Sequence, residues 1–149
     1  MSILWNVFSA LIGGLIGSVV GARMTRSSML ELQEREFRQR GYQALRALLV
    51  ELEGNENLVF NMISKSDISL RSRLRRSIWD SQLPIIAWRL EPAQLGIIDR
   101  AYYNVDYLMR DVPTMGHPPT MALSATLQFL KEAAAMVRHA AGLPELPKN

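Results

Sequence analysis

A run of twenty residues, 3–22, contains no Asp, Glu, Lys or Arg, and this constrains the chain more than any other feature. At about 1.5 Å of rise per residue, such a run makes a helix about 30 Å long, the thickness of a bilayer's hydrocarbon core. Ten of its residues are Leu, Ile, Val or Phe. Each of these favours insertion by roughly 0.3 to 0.6 kcal/mol, which together outweighs Asn6, Ser9, Ser18 and the glycines. Trp5 near one end, and Arg23 and Arg26 beyond the other, are residue types that settle at a membrane interface. The expectation is a single-pass signal-anchor over residues 1–22 that tethers a folded domain to a cell inner membrane. Only the terminal amine precedes the span and arginines follow it, so the N-terminus is expected outside and the C-terminal domain in the cytoplasm. One rival reading is a cleaved signal peptide ending at Val20-Gly21-Ala22, which the missing positive n-region and the trailing arginines disfavour. The other is a buried core helix, and twenty uncharged residues are longer than that requires.

Within the span Gly13, Gly17 and Gly21 recur every four residues, and Gly14 and Ser18 run beside them. A helix face this bare lets a second helix approach closely and gain van der Waals contact that lipid does not supply. The expected partners are therefore membrane lipids and another transmembrane helix, either from a second copy in a homo-oligomer or from a different protein. The plainer reading is that glycine is common in membrane helices.

The remainder reads as all-α, with four or five helices and no strand. From Met29 to Ile63 no proline interrupts a helical pattern, so one long helix is expected, with Gly41 or Gly54 as places where it would bend. Its first part, in the expected stalk of residues 23–44, is richly charged. Its second part sets Leu45, Leu48, Leu52, Asn55, Val59 and Met62 at spacings of three and four, an apolar seam on which a small antiparallel bundle of residues 45–142 can close. Polar residues around Ser64 to Asp67 predict a turn and an N-cap, followed by a helix over about 68–82, with Pro84 either ending it or starting the next turn. Pro92 opens the next helix, with Leu95, Ile98, Tyr102, Val105 and Met109 on one face and a stop near Asp111. Pro113, Gly116, Pro118 and Pro119 mark a connecting loop. Leu123, Leu127, Leu130, Ala134, Val137 and Ala141 trace the last helix, which Gly142 and Pro144 terminate ahead of a loose tail, residues 143–149.

Few residues suggest chemistry. Without cysteine there is no disulfide, thiol nucleophile or cysteine metal site. His117 and His139 are far apart in sequence, the aspartates do not space as a calcium loop, and no nucleophile-elbow, phosphate-loop or zinc-protease motif occurs. Catalytic residues, metal ligands and cofactors are accordingly expected to be none. Glu51 and Asn55 lie four apart on one helical face, and Asn55 interrupts the seam. Both are expected as buried polar residues, with Asn55 bonded to Glu51, a tyrosine or a tryptophan and fixing the helix register. Trp79, Trp88, Tyr102, Tyr103 and Tyr107 read as core and interface residues ahead of a pocket.

The Glu51-x-x-x-Asn55 helix behind a charged stalk, followed in order by Trp79, Pro92 and Tyr102, resembles uncharacterised bacterial single-pass membrane proteins. That resemblance spans most of the chain through short motifs, and it implies an all-helical fold and no activity.

Arg71, Arg73, Arg75 and Arg76 crowd about one and a half helical turns, too many for one stripe. They are expected either as an ordinary solvated face or as a lipid-headgroup patch, each arginine adding about 1 kcal/mol near an anionic surface. Four cations are too few for a dedicated nucleic-acid surface, so no nucleic acid is expected. The functional expectation is a non-enzymatic adaptor or accessory subunit of a membrane complex. A phage-type envelope or lysis component with a periplasmic domain, and a membrane-bound enzyme using Glu51, Asn55 and the tyrosines, are the alternatives.

Overall fold

The computed structural model describes the backbone of residues 2–110 and 120–144, and the side chains of residue 26, residues 28–110 and residues 120–144. Among these the secondary structure is helical throughout: α1 (Ser2–Lys65), a 3-10 helix (Ile68–Arg73), α2 (Ser77–Ala87), α3 (Pro92–Arg110) and α4 (Thr120–Ala140). No helix among the described residues is long and apolar enough to cross a membrane. The expected span, with its interface residues Trp5 and Arg23 and the face of Gly13, Gly14, Gly17, Ser18 and Gly21, lies where only backbone is described, so its side chains fall outside that statement. The prolines of the expected loop between α3 and α4 fall outside the described residues.

The chain divides into two units, residues 1–39 and 40–149. In the first, the described side chains are exposed, and the charges pair along the helix, as Arg38 does with Glu34 four residues earlier. This is the local i,i+4 support that a solvated helix uses when it has no core.

In the second unit the seam of α1 is buried at every expected position, Leu45, Leu48, Leu52, Asn55, Val59 and Met62. Against it close Trp79 and Ile86 from α2, Ile98, Tyr102, Val105 and Leu108 from α3, and Leu123, Leu130, Ala134 and Val137 from α4. The last two helices pack along one another, bringing together two stripes of three-and-four periodicity. Gly41 and Gly54 both lie inside α1. A Cβ on Gly41 would meet Arg89 Cγ at 2.9 Å, so its bareness is what lets Arg89 cross the helix and place its guanidinium 3.9 Å from the ring centre of Tyr42.

Two expected boundaries are corrected. No single helix covers 68–82. Asp67 caps the 3-10 helix by accepting from Ser69 N at 2.9 Å, Leu74 is extended, and α2 begins only at Ser77. The interruption has a physical cause, because Asn55 engages both backbone groups of Arg75, the groups a continuing helix would require. Pro84 lies inside α2, and neither ends it nor starts a separate turn. Its ring cannot donate to the Asp80 carbonyl, and the helix stops three residues later at Ala87.

The C-terminal stop follows the Schellman pattern. Gly142 has φ +65, its N–H donates to His139 O at 3.0 Å, and Leu143 N donates to Arg138 O at 3.0 Å. Leu143 packs back on the core, so the tail expected to be loose from residue 143 is anchored at its first residue.

Candidate functional site

The polar centre of the folded unit is built from Glu51 and Asn55, one turn apart on the buried face of α1. Four donors converge on the Glu51 carboxylate. Oε2 accepts from Ser77 Oγ at 3.0 Å and from Ile78 N at 2.9 Å. Oε1 accepts from the Tyr102 hydroxyl at 2.6 Å and from Trp79 N at 3.4 Å. The first N–H groups of a helix have no partner inside it, and the N-cap residue of α2, Arg76, makes no side-chain capping bond. Glu51 therefore caps α2 from another helix, and its negative charge lies at the positive end of the α2 dipole.

One turn further along, Asn55 uses its amide in both senses. Its Nδ2 donates to Arg75 O at 2.6 Å, and its Oδ1 accepts from Arg75 N at 2.9 Å. The expected partners of Asn55 are corrected here: it bonds neither Glu51 nor an aromatic side chain but a stretch of backbone twenty residues on. Two polar residues of α1 thus hold consecutive parts of the segment Arg75 to Trp79.

Trp79 and Tyr102, both buried, stack with ring centres 5.6 Å apart and planes 11° from parallel. Burial first, and the bond to Glu51 second, push the Tyr102 phenol well above its ordinary value of 10.0. The hydroxyl is therefore a fixed donor to the carboxylate and holds its proton. Trp88 and Tyr103 are exposed and Tyr107 is half-buried, so the five aromatic residues do not gather into one pocket.

The four arginines read as a patch separate in the structure. Arg76 is half-buried, bonds Asp80 through Nε and through Nη2 at 2.8 Å, and pairs with Asp106 on α3. The Asp80 bonds raise its pKa further, against the opposing effect of burial. Asp106 offers only one oxygen, and its Oδ1 is buried without a hydrogen-bond partner among the described residues. Arg71 is half-buried, whereas Arg73 and Arg75 are exposed. The continuous helix expected to carry all four is broken between Arg73 and Ser77. Asp67, whose carboxyl is held below its ordinary range first by its bonds to Ser69, also feels the charge of Arg73.

A second cross-link was not read from the sequence: Arg138 of α4 pairs with Glu53 of α1. It joins residues 85 apart, a separation at which local spacing carries no signal. His139 is exposed at the end of α4, and His117 lies outside the described residues. Among the described residues no group of His, Asp and Glu is placed to hold a metal ion.

Beside this polar centre runs an open groove of about 610 Å³ between α1 and the segment leading into α2. Val50, Gly54 and Leu58 line it from α1, Ile78 from α2, and Arg73 and Arg75 from the connection between them. No protein-family profile, curated protein or solved structure matches the chain.

Proposed function

We propose that this protein is a membrane-anchored adaptor or accessory subunit that acts by binding rather than by catalysis. The observation that carries the reading is the uncharged run of residues 3–22, closed by Arg23 and Arg26, which has the length and composition of an inner-membrane signal-anchor. Its glycine face is proposed to meet another transmembrane helix, and the arginines after it to keep the folded unit in the cytoplasm. The placement of the polar residues supports a binding role. Glu51, Asn55 and Tyr102 are the groups an enzyme would need from this core, and each is engaged in holding α2 and its leading segment in place. Meanwhile large apolar side chains such as Val50, Phe60 and Met121 face outward, as surfaces that meet partners do.

The test is fractionation of cells making the full chain, followed by alkaline extraction of the membranes, with a topology reporter fused after Asn149. The expected result is a chain that stays with the membranes and a reporter active only in the cytoplasm. A chain released as a soluble monomer removes the anchor. A reporter active only outside the cytoplasm replaces the adaptor with a periplasmic envelope component.

A further inference from the structure

We infer that the groove between α1 and the segment leading into α2 is the docking site for an amphipathic helix of a partner protein, its apolar face on Gly54 and its acidic flank on Arg73 and Arg75. The inference rests on the adaptor reading and names the chemistry of the partner.

Three observations converge on it. The floor is apolar and unfilled: Val50 is 69% exposed although Leu48, Leu49 and Leu52 beside it on α1 are buried, and Leu58 and Ile78 line the groove with it. Sharing Ala47 and Ile78 with it, a smaller stretch of about 340 Å³ reaches Gln43 and Ile85. Along α1, residues 43 to 58 rise about 22 Å, or four turns, which is the length over which a docked helix sets its i, i+3, i+4 and i+7 anchors.

The second observation is Gly54. Glycine inside a helix costs about 1 kcal/mol relative to alanine, and nothing in this fold asks for it, since a Cβ built there meets no atom within 4 Å. A bare position at the centre of an open groove is what allows a second helix backbone to approach closely. A lipid tail, with no backbone to accommodate, gains nothing from it.

The third is charge. The guanidiniums of Arg73 and Arg75 are exposed at the groove's edge, and neither is ion-paired within 4.0 Å among the described residues. The carboxylate in the lining, Glu51, is already saturated by the four donors described above. An incoming acidic side chain therefore meets two cations held in no ion pair, of which Arg73 also feels Asp67 from beyond ion-pairing distance, and complementary charge fixes its register.

The test places a photo-reactive amino acid at position 50 of the full-length chain in the cells that express it, with position 131 on α4 as a control. Cross-linked peptides are then sequenced by mass spectrometry. The expected adduct at position 50, missing at 131, is a protein segment whose apolar residues recur at helical spacing beside Asp or Glu. Reversing both charges, R73E with R75E, lowers its yield about tenfold, and G54W abolishes it while leaving the circular dichroism of the purified chain unchanged. A phospholipid adduct, an adduct with a second copy of this chain, a basic or extended segment, or a yield indifferent to G54W each overturns the proposal. The same cells are fractionated in parallel, so loss of the anchor is read separately from loss of the docked helix.

Discussion

The strongest prediction concerns Glu51, because every group around its carboxylate is a donor. A carboxylate is acceptor-only and matches four donors. A glutamine in its place turns one acceptor into an NH₂ that points at donors. The amide has one tolerable orientation, with its nitrogen toward the Tyr102 hydroxyl, which can rotate to accept, and its oxygen on Ile78 N and Ser77 Oγ. In that arrangement three short hydrogen bonds survive, but bonds to a charged acceptor, at roughly 1.5–3 kcal/mol each, become neutral ones near 1 kcal/mol. The favourable charge at the start of α2, typically 0.3–1 kcal/mol, also goes. Glu51→Gln is thus expected to lower stability by about 2 kcal/mol. Glu51→Ala removes every bond and leaves the Tyr102 hydroxyl, in a residue only 1% exposed, without its acceptor, for a total of about 4 kcal/mol. In a Tyr102→Phe background the alanine substitution should cost about 1.5–2 kcal/mol less, since the bond the two residues share has already gone. Urea unfolding of the full-length chain in detergent, followed by near-ultraviolet circular dichroism, measures the four variants against the unsubstituted protein. Equal losses for Gln and Ala, or strict additivity with Tyr102→Phe, would refute the account of Glu51 as a trans cap.

Three further outcomes follow from other positions. Tyr102 keeps its proton in the folded protein at a pH where an unfolded tyrosine loses it, so its contribution is complete below about pH 10 and falls above it by roughly 1.4 kcal/mol per pH unit; denaturation midpoints of Tyr102→Phe should be the less sensitive to alkaline pH. Gly54→Ala should raise stability by about 0.5–1 kcal/mol in urea unfolding, because the added methyl meets no neighbour and the helix gains propensity. Gly17→Ile should weaken self-association in a membrane two-hybrid assay without lowering expression, and unchanged association would show that the glycine face is not an interface.

The helices and their buried faces were legible because they repeat. Apolar residues at spacings of three and four mark α1, α3 and α4 whatever they pack against, and Pro92 and Gly142 punctuate them by backbone chemistry alone. What the sequence concealed lay between residues 68 and 77. There the local pattern is helical and the helix is broken from outside, by Asn55 holding the backbone of Arg75. The same distance effect explains the site. Glu51 and Asn55 were visible as polar residues on a face that becomes buried, but their partners lie 20 to 51 residues away, and no spacing rule reaches that far. The arginine cluster departs from expectation for a related reason, since the helix expected to carry it is interrupted between Arg73 and Ser77 and Arg76 is engaged by Asp80 and by Asp106 thirty residues on.

The cap and clamp on α1 also bear on how this chain would diverge over time. Its leucines contact one another through shape and volume, so they can be exchanged for other aliphatic residues with modest repacking. An acid that must accept four bonds and an amide that must both give and accept have no such freedom. A remote cousin would then be recognised by the sparse polar signature rather than by its oily seam: a glutamate, an asparagine one turn later, a serine at the start of the following helix, and a tyrosine some fifty positions beyond the acid.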